Sequence, residues 1–422
     1  MSAFDARALF TAMFEAAVAA ADPEHVIRDH LPEKPKGRTV VIGAGKGSAQ
    51  MARAFEPAWD GPISGLVVTR YGYAVPCERI EVIEAAHPVP DAAGQAGARR
   101  LFETVKGLSE DDLVVALISG GGSALLPCPA GDLTLEDEIA VNRALLASGA
   151  PISAMNTVRK HVSAIKGGRL AAAAHPARVV SLIVSDIPGD QPSLVSSGPT
   201  VPDGSTRADA LSIVEAYRLD LPETVMRHLN SPTADAPLPA DPRFARNEVR
   251  VIASAAKSLE AAAGVARGAG LEAVILSDAI EGEAREVAKV HAAIAREVAT
   301  RDRPFRKPVA ILSGGETTVT LRGTGGRGGR NGEFLLSLAL GIEGTDGMHA
   351  FAADTDGIDG SEQNAGAFAD STTVARLRTN GLDAKALLNA NDSWGAFDAL
   401  GDLFQPGPTG TNVNDLRVVV VR

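Results

Sequence analysis

"VVIGAGKGSAQMARAFE", Val40 to Glu56, decides how the first half of the chain is read. An apolar strand runs into a glycine-rich loop, and a helical pattern follows. Such a loop suits anions, because glycines leave backbone N–H groups open and a following helix start adds partial positive charge. Yet the loop departs from both standard nucleotide fingerprints. In Gly43-Ala44-Gly45-Lys46-Gly47-Ser48, Ser48 stands where G-x-G-x-x-G needs its third glycine. A Walker A loop needs four residues between its first glycine and Gly-Lys-Ser/Thr, which is not the spacing here. Lys46 is the distinctive residue. Ten of the chain's 41 basic residues are lysines, so a lysine inside a glycine loop reads as a chosen cation rather than surface decoration.

Outward from this stretch the same unit recurs. "GLVVTRYGY" and "IEVIEAAHPVP" are apolar runs ending in turn chemistry, "DDLVVALISGGGSALL" is strand, glycine turn and helix, and "ARVVSLIVSDIPGD" ends in two aspartates. Helical patterns lie between, at 135–148 and 155–174. Near-continuous Val/Ile/Leu strands alternating with helices predict an α/β fold with a parallel sheet covered on both faces. The stretch 229–247 carries four prolines and reads as a linker. Beyond it the alternation restarts with "EVRVIAS", "EAVILSDAI", "PVAILSGGETTVTL", "MHAFAADTDGIDG" and "LRVVVVR". The two-residue period of "GETTVTLRG" predicts that this second sheet is mixed.

Composition excludes several classes. The net charge of −11 argues against nucleic acid or an anionic membrane as a general partner. No apolar run reaches the ~18–20 residues of a membrane helix. The opening "MSAFDARALFTAMFEAAVAAADPEH" has helical apolar spacing with Asp5 and Glu15 inside it, which predicts a surface helix rather than a signal peptide. Two cysteines, Cys77 and Cys128, give no disulfide framework or metal spacing and suit a reducing cytoplasm.

In open α/β sheets, ligands bind beyond the carboxyl ends of the strands. That position collects Gly43, Gly45, Lys46 and Gly47, then "SGGGSA" (Ser119, Gly120, Gly121, Gly122, Ser123, Ala124), then Asp186 and Asp190. In the second half it collects "SGGET" with Glu316, "GGRGGRNGE" (Gly325 to Glu333) with Arg327 and Arg330, and "DTDGIDG" with Asp356 and Asp359. Arginine's fork suits a carboxylate or phosphate. Asp186, Asp190, Asp356 and Asp359 are hard oxygen ligands of the kind Mg²⁺ takes. Plain alternatives stand beside these readings: tight turns for the glycine and Asp-Gly loops, packed or capping roles for His87 and His161, and a solvated basic face for Arg159, Lys160, Lys166 and Arg169. There is no G-x-S-x-G motif and no zinc spacing. Phosphoryl transfer fits the set best, because that chemistry needs positioning and charge neutralisation more than a nucleophilic side chain.

"VIGAGKGSAQMA", "LISGGGSALL", "NTVRKHVSAIKGGRLA", "SDIPGDQPSLVSSGPTVPD", "LSGGETTV", "GRGGRNGEF", "ADTDGIDGSEQNAGA" and "GPTGTNVNDL" together resemble the glycerate 2-kinase family with a C-terminal MOFRL domain, whose members are often labelled hydroxypyruvate reductases. The resemblance spans nearly the whole chain in the same order. It implies a Rossmann-like N-terminal domain (1–235), a smaller mixed-sheet α/β domain (236–422, MOFRL about 308–418) and a cleft between them, with Lys46 pointing across it towards Arg330. It implies phosphorylation of D-glycerate by ATP to 2-phosphoglycerate with a divalent metal, in a cytoplasmic monomer or homodimer acting on small molecules.

Carried over residue by residue, it implies Lys46, Arg330, Asp186 and Asp190 as catalytic. Gly45, Gly47, Ser119 to Ser123, Glu316, Arg327, Asn331, Asp356 and Asn412 would bind substrate or nucleotide, and Asp190 and Asp356 would hold Mg²⁺. The base for the acceptor hydroxyl is one of Asp186, Asp190, Glu316 and a deprotonated Lys46. Two positions depart from the family: Gly332 replaces a glutamine, and Asp354 stands in place of a glycine. The competing classes are an NAD(P)H-dependent hydroxypyruvate reductase and a non-catalytic sensor. The reductase would need the missing third glycine and an acidic residue ~20 residues on, whereas "PISGLVVTRY" holds no acid.

Overall fold

A computed structural model describes residues 4–322 and 326–422. Gly325, the first residue of the arginine-bearing glycine loop, lies outside the described residues. The chain divides into two compact units, one of residues 23–252 and one of residues 1–22 with 253–422.

The first unit is built on a six-stranded sheet of β1 (Thr39–Ala44), β2 (Ile63–Arg70), β3 (Ile80–Ala85), β4 (Leu113–Ile118), β5 (Arg178–Ser185) and β6 (Glu248–Ser254), in the order β3-β2-β1-β4-β5-β6. β3, β2, β1, β4 and β5 pair in parallel. β1 and β4 are buried at every position because helices cover both faces of the sheet. Val40, Ile42, Val114, Ala116 and Val179 share one core with Leu101 and Val105 of the helix Ala92–Val105. The order is that of a dinucleotide-binding fold, which reverses between β1 and β4 and opens a crevice beyond their carboxyl ends.

Two expectations are corrected here. The helix expected over 155–174 is two helices, Ile152–His161 and Arg169–Ala174, because Gly167 and Gly168 take left-handed φ of 63° and 80°. Nor is the basic segment a solvated face. Lys160 is buried against Asp203, and Lys166 is buried, donating to Glu138 Oε1 at 2.6 Å and to the Leu126 carbonyl at 2.9 Å. Arg169 donates to the carbonyls of Lys160, Lys166, Ala234 and Asp235.

The second unit holds a six-stranded sheet of β7 (Glu272–Ile275), β9 (Val309–Ser313), β11 (Met348–Asp354), β12 (Gly366–Asp370), β13 (Leu403–Phe404) and β14 (Asp415–Val421), ordered β13-β12-β11-β14-β9-β7. It is mixed: β7 and β9 are parallel, and the other neighbours antiparallel. The period of "GETTVTLRG" yields just a two-residue strand, β10 (Thr317–Thr318), beside β8 (Gly282–Glu283). β14 is antiparallel yet continuously apolar in its last four residues, because it too is covered on both faces. Val419 and Val421 pack with the helices Ala284–Arg301 and Arg330–Ile342, while Val418 and Val420 pack with Ala6–Ala19 and Ala255–Gly268. The opening helix thus belongs to the second unit through Phe10, Met13, Phe14 and Ala17. The proline-rich stretch 229–247, read as a linker, lies inside the first unit. Among the described residues no helix is long and apolar enough to cross a membrane.

Candidate functional site

In the first unit, the loops after β1 and β4 interlock. Gly45 N–H donates to the Val68 carbonyl at 3.1 Å, Lys46 N–H to the Gly120 carbonyl at 2.8 Å, and Ser48 N–H to the Gly45 carbonyl at 3.2 Å. Gly47 N–H donates to Ser119 Oγ at 2.9 Å. This corrects the sequence reading of the loop. Its amides are committed within the protein, so Gly45 and Gly47 have none to offer a phosphate. What the loop presents is the Lys46 side chain, half-buried and without an ion pair among the described residues. Ser48 is buried and donates to the Leu117 carbonyl at 2.9 Å, so the residue in the third-glycine position fastens helix to sheet.

The open amides lie in the second loop. Among the described residues, the N–H groups of Gly120 and Gly121 meet no acceptor. A methyl group on Gly120 would lie 1.7 Å from Asp186 Oδ2. The Asp186 carboxylate therefore lies directly against the Gly120 backbone. Asp190 follows at the end of the turn with φ 51°, half-buried.

Sequence reasoning missed the clamp on this loop. Ser196 Oγ donates to the Ser119 carbonyl at 2.5 Å and accepts Gly122 N–H at 3.0 Å. Ser197 Oγ lies 2.7 Å from Ser123 Oγ and donates to Asn156 Oδ1 at 2.9 Å. Ser196 and Ser197 hold left-handed φ of 54° and 59°, a strained pair of the kind that surrounding structure must fix. His161 is fully buried with Nδ1 2.7 Å from the Thr157 carbonyl, a packed position rather than that of a surface base.

In the second unit, Arg330 starts the helix Arg330–Ile342 and is enclosed by three carboxylates. Nη1 donates to Glu316 at 2.9 Å, Nη2 to Asp354 at 2.6 Å and Nε to Asp415 at 2.8 Å. Asp354 and Asp415 are direct cross-strand neighbours on β11 and β14. Two carboxylates so placed repel unless a cation lies between them, and Arg330 with the buried Arg417 supplies that cation. Burial and the Asp415 charge hold the Asp354 carboxyl well above its usual range, although Arg330 draws it down. Burial opposes the charge on Arg330, but Asp415, Asp354 and Glu316 outweigh it and raise its pKa. Asp354, a departure from the family pattern, is therefore one wall of the arginine's cage.

Asp359, read from the sequence as a hard oxygen ligand of the kind Mg²⁺ takes, is instead buried and committed to a helix start. Its carboxylate accepts Asn331 N–H at 2.9 Å and Gly332 N–H at 2.8 Å, capping the helix that Arg330 begins. Burial pushes its carboxyl up to about 6 against the pull of those two N–H groups. Asn331 is fully buried and donates to Asp415 at 2.8 Å, so it supports the cage rather than facing solvent. Arg327 stacks 3.7 Å over Trp394. Asp356 Oδ1 accepts Ile358 N–H at 2.8 Å, and Asn412 Nδ2 lies 3.5 Å from Asp356 Oδ2. At Gly332 a side chain would meet Ser393 Oγ at 2.6 Å, so the serine takes the space that a glutamine would need.

Residues 9–230 match a family model described as a domain of unknown function, DUF4147, and residues 309–415 match the MOFRL family. A protein of Agrobacterium vitis provisionally named hydroxypyruvate reductase is 54% identical over 99% of this chain and 94% of its own. D-glycerate 2-kinase of Thermotoga maritima is 40% identical over 94% of each chain. The crystal structure of a Thermotoga maritima glycerate kinase superposes with a TM-score of 0.89 at 38% identity, covering 99% of both chains.

Proposed function

The chain belongs to the glycerate kinase family that joins DUF4147 and MOFRL regions, and on that premise we propose that it transfers the γ-phosphoryl group of ATP to the 2-hydroxyl of D-glycerate, giving 2-phosphoglycerate and ADP. The observation that carries this reading is the Lys46 side chain, without an ion pair among the described residues, beside the Gly120 and Gly121 amides, which meet no acceptor there, at the β1/β4 crevice. Preorganised donors of that kind stabilise charge developing on a transferring phosphoryl group. Asp186, held against Gly120, is the carboxylate we assign to orient the acceptor hydroxyl and take its proton. Asp190 follows it on the same turn. In the second unit we assign Arg330, kept cationic by its three carboxylates, to the anionic end of a substrate. Glu316, the exposed arm of that cage, and Asn412 are assigned to contact the substrate.

Mg²⁺ needs one or two carboxylates, with phosphate oxygens and waters completing its shell. Asp356 fits, because its carboxylate keeps acceptor capacity beyond its bonds to Ile358 and Asn412. When bound, the ion would neutralise phosphate charge. The enzyme so read is cytoplasmic and acts on free small molecules.

The name of the Agrobacterium relative brings forward a nicotinamide-dependent reductase. Arg70 at the end of β2 favours it, since NADP-binding folds recognise the 2′-phosphate with an arginine nearby. Against it stand the first-loop amides, which a dinucleotide's pyrophosphate would need and which the protein already uses. One pair of assays decides. ADP release that depends on D-glycerate supports the kinase, whereas NAD(P)H oxidation with hydroxypyruvate and no ADP release refutes it.

A further inference from the structure

The corner where β1, β2, β3 and β4 end holds two residues, Arg70 and His87, that the mechanism above leaves unused. Gly121 lies at its centre with φ 84°. A methyl group on Gly121 would lie 3.0 Å from Lys46 Cγ, 3.2 Å from Lys46 Cε and 3.2 Å from His87 Nε2. The lysine stem and the imidazole edge therefore meet over the same backbone atom, next to the open N–H groups of Gly120 and Gly121.

Arg70 stands at the neighbouring strand end. It is the last residue of β2 and pairs in register with Ala85, two residues before His87. Its guanidinium lies 4.1 Å over the Tyr73 ring, which orients it. His87 is half-buried, and burial together with the charges of Lys46 and Arg70 holds its pKa down to about 4. At neutral pH it is therefore an uncharged imidazole, able to donate one N–H. The charges acting on it are both positive, whereas the Asp186 carboxylate lies against Gly120, one residue away.

We propose that Arg70 and His87, with Lys46 and the amides of Gly120 and Gly121, form a phosphate-binding corner that holds a phosphate of the bound nucleotide. The inference rests on the phosphoryl-transfer reading for the identity of that nucleotide. A tetrahedral anion here accepts hydrogen bonds from two backbone amides and a neutral imidazole while two cations offset its charge.

The test is NMR of the imidazole C–H signals at pH 7.5, with His87→Asn identifying the resonance among eight histidines. Inorganic phosphate, ADP and NADP⁺ are titrated separately. Saturable movement of the His87 signal by phosphate and ADP is expected. Arg70→Gln should weaken phosphate binding roughly fivefold or more, with the remaining histidine signals showing an intact fold. A His87 signal that ignores phosphate and ADP overturns the proposal, as does one that moves with NADP⁺ alone. Unchanged phosphate affinity in Arg70→Gln also overturns it. Kinase activity of the same sample is recorded separately. An inactive protein that binds phosphate at His87 contradicts the kinase reading and leaves the corner standing. An active protein with a silent His87 contradicts the corner alone.

Discussion

Two cations, Lys46 and Arg330, look alike in the sequence and differ in the structure. Lys46 has no carboxylate partner among the described residues, whereas Arg330 has three. Lys46→Ala should therefore lower kcat/KM by ~10²–10³, the scale of losing one transition-state donor, and leave Tm unchanged. Arg330→Gln should lower both activity and stability, by ~3–5 kcal/mol, because it leaves carboxylates uncompensated in a buried site. Its pH dependence has a definite sign. Asp354 has a folded pKa raised above its unfolded value, and without Arg330 that rise grows. The stability lost in Arg330→Gln should be smallest near pH 4 and increase towards neutrality, as denaturant midpoints of both proteins would record. His87 acts in the opposite direction. Between its unfolded pKa near 6.5 and its folded value of about 4, the unfolded chain binds the proton that the folded chain refuses. Wild type should lose stability relative to His87→Asn as pH falls through that window. Lys46 and the SGGGS loop were legible in the sequence because glycines and a rare lysine stand out locally. Lys160 and Lys166 were misread as solvated because their partners lie 43 and 28 residues away.

The helix Arg330–Ile342 carries the second half of the candidate site, and its start is fixed from a distance. Asp359 accepts its first N–H groups, and Gly329 permits the approach, since a methyl there would lie 2.4 Å from Asp359 Oδ1. Asp359→Ala should cost ~1–2 kcal/mol, the range for losing an N-cap. Gly332→Gln should destabilise, because the new side chain enters the space of Ser393. Combined with Ser393→Gly it should recover most of that loss, a coupling that a double-mutant cycle measures. Additive effects would show that Ser393 is not the obstacle. The apolar run "EFLLSLALGI" predicts a helix locally, but neither its start at Arg330 nor its cap. "DTDGIDG" reads as Asp-Gly turns or metal ligands, and its capping role appears when the loop after β11 meets a helix 28 residues earlier.

At the scale of the whole molecule, alternation of strand and helix foretold the parallel sheet of the first unit; the second sheet is mixed as expected, although the Thr/Val stretch that prompted the expectation lies outside it. Strand order was not legible, because register and neighbours are set by packing rather than by local pattern. The order 3-2-1-4-5-6 then sharpens the reading of the opening stretch. This is a dinucleotide-type sheet whose first loop has turned its amides inward and whose anion-binding amides belong to the loop after β4. The unit that contains β14 also includes the opening helix, so truncation before Pro23 should expose the aromatic cluster of Phe351, Phe368 and Phe404 and lower the solubility of the chain.

The central claim is phosphoryl transfer to the 2-hydroxyl of D-glycerate. Its most direct measurement is ³¹P NMR of the purified protein with D-glycerate, ATP and Mg²⁺, with ¹H–³¹P coupling locating the ester. Appearance of ADP with phosphorus coupled to the C2 proton is the predicted result. Phosphorus coupled to the C3 protons, or no phosphate ester at all alongside NAD(P)H oxidation by hydroxypyruvate, would contradict it.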